Sequence, residues 1–300
     1  KQKIYLRNSL KSTKKDLKEI SPIFKRSKKS LQVAVMGKNS PEWAVVYHAA
    51  LYSSAIIIPI DNGLHEQEVI NIVNTAEPKI VICDEDKASF FTNNFPSLMV
   101  KSLNKTVEAD YVYNLIADGE VTENEPATEK DTAAILFTSG TTGKPKGVML
   151  SHQNLIADGF IAQTHLDILY TDVFYALLPI HHAYTMQAAF ICPLECGAEI
   201  VFGKSLAVSK LMKELKEGKI SIMLGVPLLY NKLLFGINNG IKNKGAVLYA
   251  IISLLRAVSF LIKKLTGKNA GKVLFKSVLQ QANIYTLRVA ICGGGPLASK

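Results

Sequence analysis

The chain has 300 residues, 48% of them hydrophobic and 20% charged, and a formal net charge of +10. This composition excludes a disordered or collagen-like chain and supplies enough apolar surface for one large domain or two modest ones. Four scattered cysteines, Cys83, Cys192, Cys196 and Cys292, exclude a disulfide framework and fit a reducing cytoplasm.

The charge is uneven. Residues 1–30 carry eleven Lys/Arg against two acids, and residues 218–300 carry twelve against none, so the stretch between them is acidic. Two readings follow: the acidic partners of the basic ends lie elsewhere in a longer protein, or the basic ends attract anionic lipid, ATP or CoA. Nucleic acid is not expected, because no reading motif accompanies the charge. No secretory signal is read at the start, where Lys1 stands in place of an initiating Met.

In chain order, near-continuous apolar runs predict strands over Leu31–Met36, Ala55–Pro59, Lys79–Cys83, Ala133–Phe137, Phe174–Leu178, Glu199–Phe202, Ser221–Leu224 and Leu287–Cys292. Ser40 followed by Pro41 predicts a capped helix through Trp43 to Tyr52. Helix-period patterns fill Glu66–Thr75, Leu206–Glu217 and Leu228–Phe235. The polar stretch Val107–Lys130 predicts a surface connection. Such strands alternating with helices predict an α/β fold of mostly parallel sheets covered on both faces.

The longest apolar run, Ala246–Ile262, is broken near its middle by Arg256, so a membrane span is not predicted. At helical spacing Val247, Ile251, Leu254, Val258, Leu261 and Leu265 form one stripe, with Ser253, Arg256 and Lys263 towards another face and Lys242, Lys244, Lys264 and Lys268 as basic flanks. Either the stripe packs on the core, or residues 242–268 dock on an anionic membrane surface. Cys192 and Cys196 near His181 and His182 have the wrong spacing for a closed zinc site, and Pro193 intervenes, so buried packing is expected there.

Thr138–Gly147 reads TSGTTGKPKG. Glycines allow close approach of backbone N–H groups to an anion, and hydroxyls with an ammonium complete a phosphate cage. Pro145 directly after Lys144 excludes the Walker A pattern, and a Gly-x-Gly-x-x-Gly fingerprint is absent from the segment. The apolar run before the loop is strand-like, and Ser151, His152 and Asn154 after it predict a helix start, so the loop is expected where a strand gives way to a helix.

Together with Val148–His152 (VMLSH), this stretch resembles the signature of the adenylate-forming, or AMP-binding, superfamily: acyl-CoA synthetases, firefly luciferase and peptide-synthetase adenylation domains. Further stretches resemble the family in order: Val33–Trp43 (VAVMGKNSPEW), Tyr52–Asp61 (YSSAIIIPID), Met223–Leu229 (MLGVPLL), Val273–Ser277 (VLFKS) and Cys292–Leu297 (CGGGPL). Thr171–His182 (TDVFYALLPIHH), followed by Ala183 and Tyr184, is similar to the bacterial long-chain fatty acyl-CoA synthetase branch.

The resemblance implies a synthetase N-terminal domain of stacked, mostly parallel sheets with helices on both faces, incomplete here, with approximate subdomains 31–165 and 166–300. It implies ATP, Mg2+ and CoA as cofactor and co-substrates and a medium or long fatty acid as substrate. It places Thr138, Ser139, Gly140, Thr141, Thr142, Gly143, Lys146 and Gly147 around ATP, with Lys146 a mobile cation and Thr141 the hydroxyl on magnesium. Gly140, Gly143 and Gly147 serve backbone shape, and Lys144 falls on a variable position. Gly293, Gly294, Gly295 and Pro296 form the turn on which adenine stacks. Lys146, Thr141 and His182 carry catalysis; His182 borders the acyl and thiol-access pocket as a gate or orienting group, and His181 is structural.

The family's aromatic-Gly-x-Thr-Glu segment, ribose aspartate, hinge and small C-terminal lid domain with its lysine do not occur before Lys300. The expectation is therefore an N-terminal piece, inactive alone, of a cytoplasmic enzyme, with a peripheral seat on the inner membrane face as the further option. Transfer to acyl carrier protein, a silent ATP- or lipid-binding module and a conventional P-loop ATPase stand as alternatives.

Overall fold

The computed structural model describes residues 3–4 and 31–296, apart from 108–109, 115–125, 139–144, 269 and 282–283. In chain order the strands are β1 (Lys3–Ile4), β2 (Gln32–Met36), β3 (Ile56–Ile60), β4 (Ile80–Cys83), β5 (Met99–Ser102), β6 (Thr132–Thr138), β7 (Lys146–Ser151), β8 (Val173–Ala176), β9 (Glu199–Phe202), β10 (Ile222–Gly225) and β11 (Val289–Cys292). The helices are α1 (Pro41–Tyr52), α2 (Glu66–Ala76), α3 (Glu85–Asn94), α4 (His152–Leu166), α5 (Ala183–Met186), α6 (Cys192–Glu195), α7 (Val208–Gly218), α8 (Pro227–Lys242), α9 (Ala246–Thr266), α10 (Gly271–Leu274) and α11 (Lys276–Gln281). A π-helical segment, Gln187–Ile191, joins α5 to α6. The chain divides into two compact units, 1–171 with 179–202, and 172–178 with 203–300.

The first unit is built on a six-stranded sheet of order β5-β4-β2-β3-β6-β7. Its strands are parallel except β7, which runs antiparallel to β6. The central sequences QVAVM, IIIPI and IVIC carry no charge because water reaches neither side of them. Alternate residues Ala34, Met36, Ile58 and Ile60 share a core with Val69, Ile72, Val73 and Ala76 of α2 and Phe91 of α3. Val33, Val35 and Ile57, on the other face by strand alternation, are equally buried.

Helix α1 begins as the sequence predicts: Ser40 Oγ accepts from Trp43 N at 3.1 Å, and Pro41 occupies the first turn, where its missing N–H costs nothing. Within the stretch 107–130, Tyr111 and Val112 are buried, and Tyr111 Oη donates to Glu42 Oε1 at 3.0 Å. That part of the expected surface connection is instead pinned to α1; the rest lies largely outside the described residues.

In the second unit, β10 pairs in parallel with both β8 and β11. Asp172, Ser221 and Arg288, each just before one of these strands, meet at their amino ends. Ser221 Oγ donates to Asp172 Oδ1 at 2.7 Å, and Arg288 Nε donates to the same oxygen at 3.2 Å. At the other end the Tyr230 hydroxyl lies 2.9 Å from the carbonyl oxygens of Met223 and Ile291, holding β10 beside β11.

Candidate active site

The glycine- and hydroxyl-rich stretch sits on an antiparallel hairpin. Strand β6 leads into residues 139–144, and β7 returns with Thr138 opposite Lys146, Phe137 opposite Gly147 and Leu136 opposite Val148. This corrects the expectation that the loop opens directly into a helix. Helix α4 does start at His152, capped by Ser151 Oγ accepting from Asn154 N at 3.2 Å, but six residues of strand intervene. The N-terminus of α4 is therefore separated from residues 139–144 by the length of β7.

Directly opposite residues in a ladder project to the same face. Thr138 and Lys146 thus stand together, both exposed, with Thr138 Oγ1 donating to Lys146 O at 3.5 Å. Gly147 has a packing reason to be glycine: a Cβ there would lie 2.8 Å from Ile135 Cγ2 and 3.2 Å from Phe137 Cζ. Ser139, Gly140, Thr141, Thr142 and Gly143 lie outside the described residues, and with them the proposed magnesium hydroxyl.

A cavity of about 440 Å³ opens at the carboxyl ends of β3 and β6. The two strands register at Ile57 and Ala134, and Pro59, having no N–H, cannot extend that ladder towards the cavity. Ile60, Leu64, Ile72, Leu136 and Phe137 give the cavity apolar walls; Thr138 and Pro145 from the hairpin, and Asp61, His181 and His182, line its polar side. Apolar walls with a few convergent polar groups are the usual make-up of a small-molecule site.

His182 reaches this cavity because the turn before α5 is fixed from several sides. Ile180 N donates to Asn39 Oδ1 at 3.0 Å, and Met186 N donates to His182 O at 2.8 Å. Thr185 Oγ1 bonds the Pro179 carbonyl. Behind the turn, Phe190 sets its ring edge-on to Trp43 and Tyr47 of α1, with centroids 5.6 and 5.2 Å away. Gln187 Nε2 donates to Leu155 O at 2.9 Å.

The two neighbouring histidines differ. The His182 side chain belongs to an exposed residue, whereas the His181 side chain is 7% exposed, with Nε2 3.2 Å from Asp61 Oδ1 but misaligned for a hydrogen bond. Burial lowers the His181 pKa to about 4; Asp61 pulls it up and His182 pushes it further down, so the ring is neutral at pH 7. Asp61 carried no role in the sequence reading. Its signal was faint: an acid at a strand's carboxyl end ahead of Asn62-Gly63, where Gly63 N donates back to Asp61 Oδ1 at 2.8 Å.

Asp61, His181 and His182 bring ligand atoms within 4.8 Å of one another, the donor set among the described residues that could accept a metal ion. Cys192 is not part of it: its buried thiol, pushed up to about 12 first by desolvation, faces Gly159 O at 3.8 Å.

The glycine turn belongs to the second unit. Gly293 N donates to Gly225 O at 3.0 Å, and Gly294 has φ +75°, which a side chain would disfavour. Gly294 and Gly295 approach Val226 and Pro227, where a Cβ on either would sit 3.5 Å from the nearest side-chain carbon. Gly293 to Pro296 thus leave the carboxyl end of β11, the end of a parallel sheet where ligands collect.

With this geometry in place, comparison with known proteins gives the family. The chain belongs to the AMP-binding enzyme family, which it matches over residues 25–300. It is 30% identical over 227 residues to the peroxisomal long chain acyl-CoA synthetase 7 of Arabidopsis thaliana, covering 70% of this chain and 32% of that one. It is 28% identical over 227 residues to long-chain-fatty-acid–CoA ligase 1 of Homo sapiens, covering 67% and 32%. The chain thus spans about a third of the length of these curated relatives. Among solved structures, ATP-bound MatB from Rhodopseudomonas palustris superposes with a TM-score of 0.68 at 21% identity, covering 94% of this chain and 48% of that one. VinN gives 0.65 at 20% identity, covering 95% and 61%. At these identities the structural likeness establishes the fold.

Proposed function

We propose that the natural protein is an AMP-forming acyl-CoA synthetase that activates a medium or long-chain fatty acid. The observation that carries this reading is a family member's hydroxyl- and lysine-bearing hairpin, Thr138 opposite Lys146, opening beside an apolar-walled cavity that His182 also lines.

In the first step a carboxylate oxygen attacks the α-phosphorus of ATP; the bond to the β-phosphate breaks and pyrophosphate leaves. In the second the sulfur of CoA attacks the acyl carbonyl and AMP leaves. Negative charge moves onto pyrophosphate in the first step, and Lys146 with the loop hydroxyls Ser139, Thr141 and Thr142 is the group set to receive it. Thr141 is the proposed magnesium-holding hydroxyl, and Gly293–Pro296 the proposed adenine surface. His182, exposed beside neutral His181, orients the acyl group or gates thiol access.

The test is carboxylate-dependent exchange of labelled pyrophosphate into ATP by the complete natural gene product, over acids from acetate to oleate. Exchange should peak at medium or long chains, and Lys146→Ala should lower it by about 10²- to 10³-fold. No exchange with any acid from a folded protein overturns the proposal, as does a Lys146→Ala variant that exchanges normally. Thioester appearing on acyl carrier protein and never on CoA would assign the other acceptor.

A further inference from the structure

Helix α9 is inside out. Its stripe of Val247, Ile251, Leu254, Val258, Leu261 and Leu265 is the side the sequence offers to a core, yet these six side chains are 40–76% exposed. The helix rests on the unit through its other side. Ile252 alone is buried, Arg256 Nη2 donates to Asn238 Oδ1 of α8 at 2.6 Å, and Lys242 Nζ lies 5.2 Å from the Tyr249 ring. Among the described residues α9 is the helix long and apolar enough to cross a membrane, and 6% of its apolar window is buried.

We propose that α9 lies flat on an anionic membrane surface, its apolar stripe in the acyl boundary and its flanking lysines among the headgroups. Charge selects this occupant. Residues 218–300 hold no acid, and Lys242 and Lys244 before the helix are matched by Lys263, Lys264 and Lys268 at its far end. A second copy laid stripe to stripe would bring like charges together with no carboxylate in this region to offset them, whereas anionic lipid neutralises both ends. Crossing the bilayer is disfavoured by Arg256, which stands mid-helix and is bonded to α8 on the side away from the apolar stripe. The proposal stands whatever reaction the protein performs.

The experiment is co-sedimentation of the complete gene product with phosphatidylcholine vesicles and with vesicles of phosphatidylcholine and phosphatidylglycerol at roughly 7:3. Wild type should partition about tenfold more strongly onto the anionic vesicles and be released by high salt or carbonate. Leu254→Gln with Leu261→Gln should lower that partitioning about tenfold at an unchanged urea midpoint, since both side chains are already in water. Lys263→Glu, Lys264→Glu and Lys268→Glu together should abolish the preference for the anionic vesicles. Equal binding to both vesicle types, wild-type binding by the glutamine variant, or retention through the carbonate wash overturns the proposal. So does a wild-type dimer that the glutamine variant dissolves in the absence of vesicle binding.

Discussion

Asp172→Ala should unfold the second unit more easily by about 2–4 kcal/mol. Asp172 is 4% exposed and accepts from both Ser221 and Arg288, so its removal strips a half-buried hydroxyl of that acceptor and a guanidinium of its carboxylate. Breaking a fully buried pair costs about 3–5 kcal/mol, but the Arg288 side chain is 33% exposed and water recovers part of its hydration, which brings the expectation down. Urea unfolding followed by tryptophan-independent circular dichroism gives the loss, with the slope checked for two-state behaviour. Arg288→Met should cost less in the Asp172→Ala background than alone, because there the charge no longer has this partner. A loss below about 0.5 kcal/mol, or strictly additive single variants, would refute the claim that this trio pins the amino ends of β8, β10 and β11.

Two further outcomes follow. Gly147→Ala forces a methyl to within 2.8 Å of Ile135 Cγ2, so it should cost about 1–3 kcal/mol by urea unfolding and lower pyrophosphate exchange by displacing Lys146; an unchanged midpoint and unchanged exchange would show that the hairpin yields freely. His48, packed beside Phe190, and His181 are both lowered to about 4 by desolvation. The unfolded chain takes up protons near pH 6.5 that the folded chain refuses until about pH 4, so their contribution is intact above pH 6.5 and falls as the pH drops through that window. Glu195, raised to about 7 by desolvation and then by Asp158, acts in the opposite sense, so the readout is a difference: the double variant His48→Gln, His181→Asn should lose less stability than wild type between pH 7 and pH 5. Parallel pH profiles would refute it.

Much of this architecture could be read from residues whose local and global preferences agree. Ser40-Pro41 fixed the start of α1, and the uncharged runs marked β2, β3 and β4, since a strand buried on both faces has no use for alternation. Strand β7 was missed because KGVMLS begins with the loop's own lysine and glycine and supplies exposed side chains; its strand character comes from pairing with β6. Strand β5, MVKS, is short and mixed for the same reason, being the opposite edge of the sheet. In α9 the periodicity correctly isolated a stripe but could not tell which way it faces: period is a property of the sequence, and direction is a property of what packs beside it. The pairing of Asp61 with His181 joins residues 120 positions apart, which a single sequence does not reveal.

The sheet order has a mechanical consequence. Strand β7 is terminal in its sheet, with Val148 and Met149 facing solvent. Peeling the hairpin open breaks the β6–β7 ladder and leaves the other four ladders of that sheet intact. Opening of this edge is thus a local fluctuation, while the buried centre of the sheet keeps the cavity wall still.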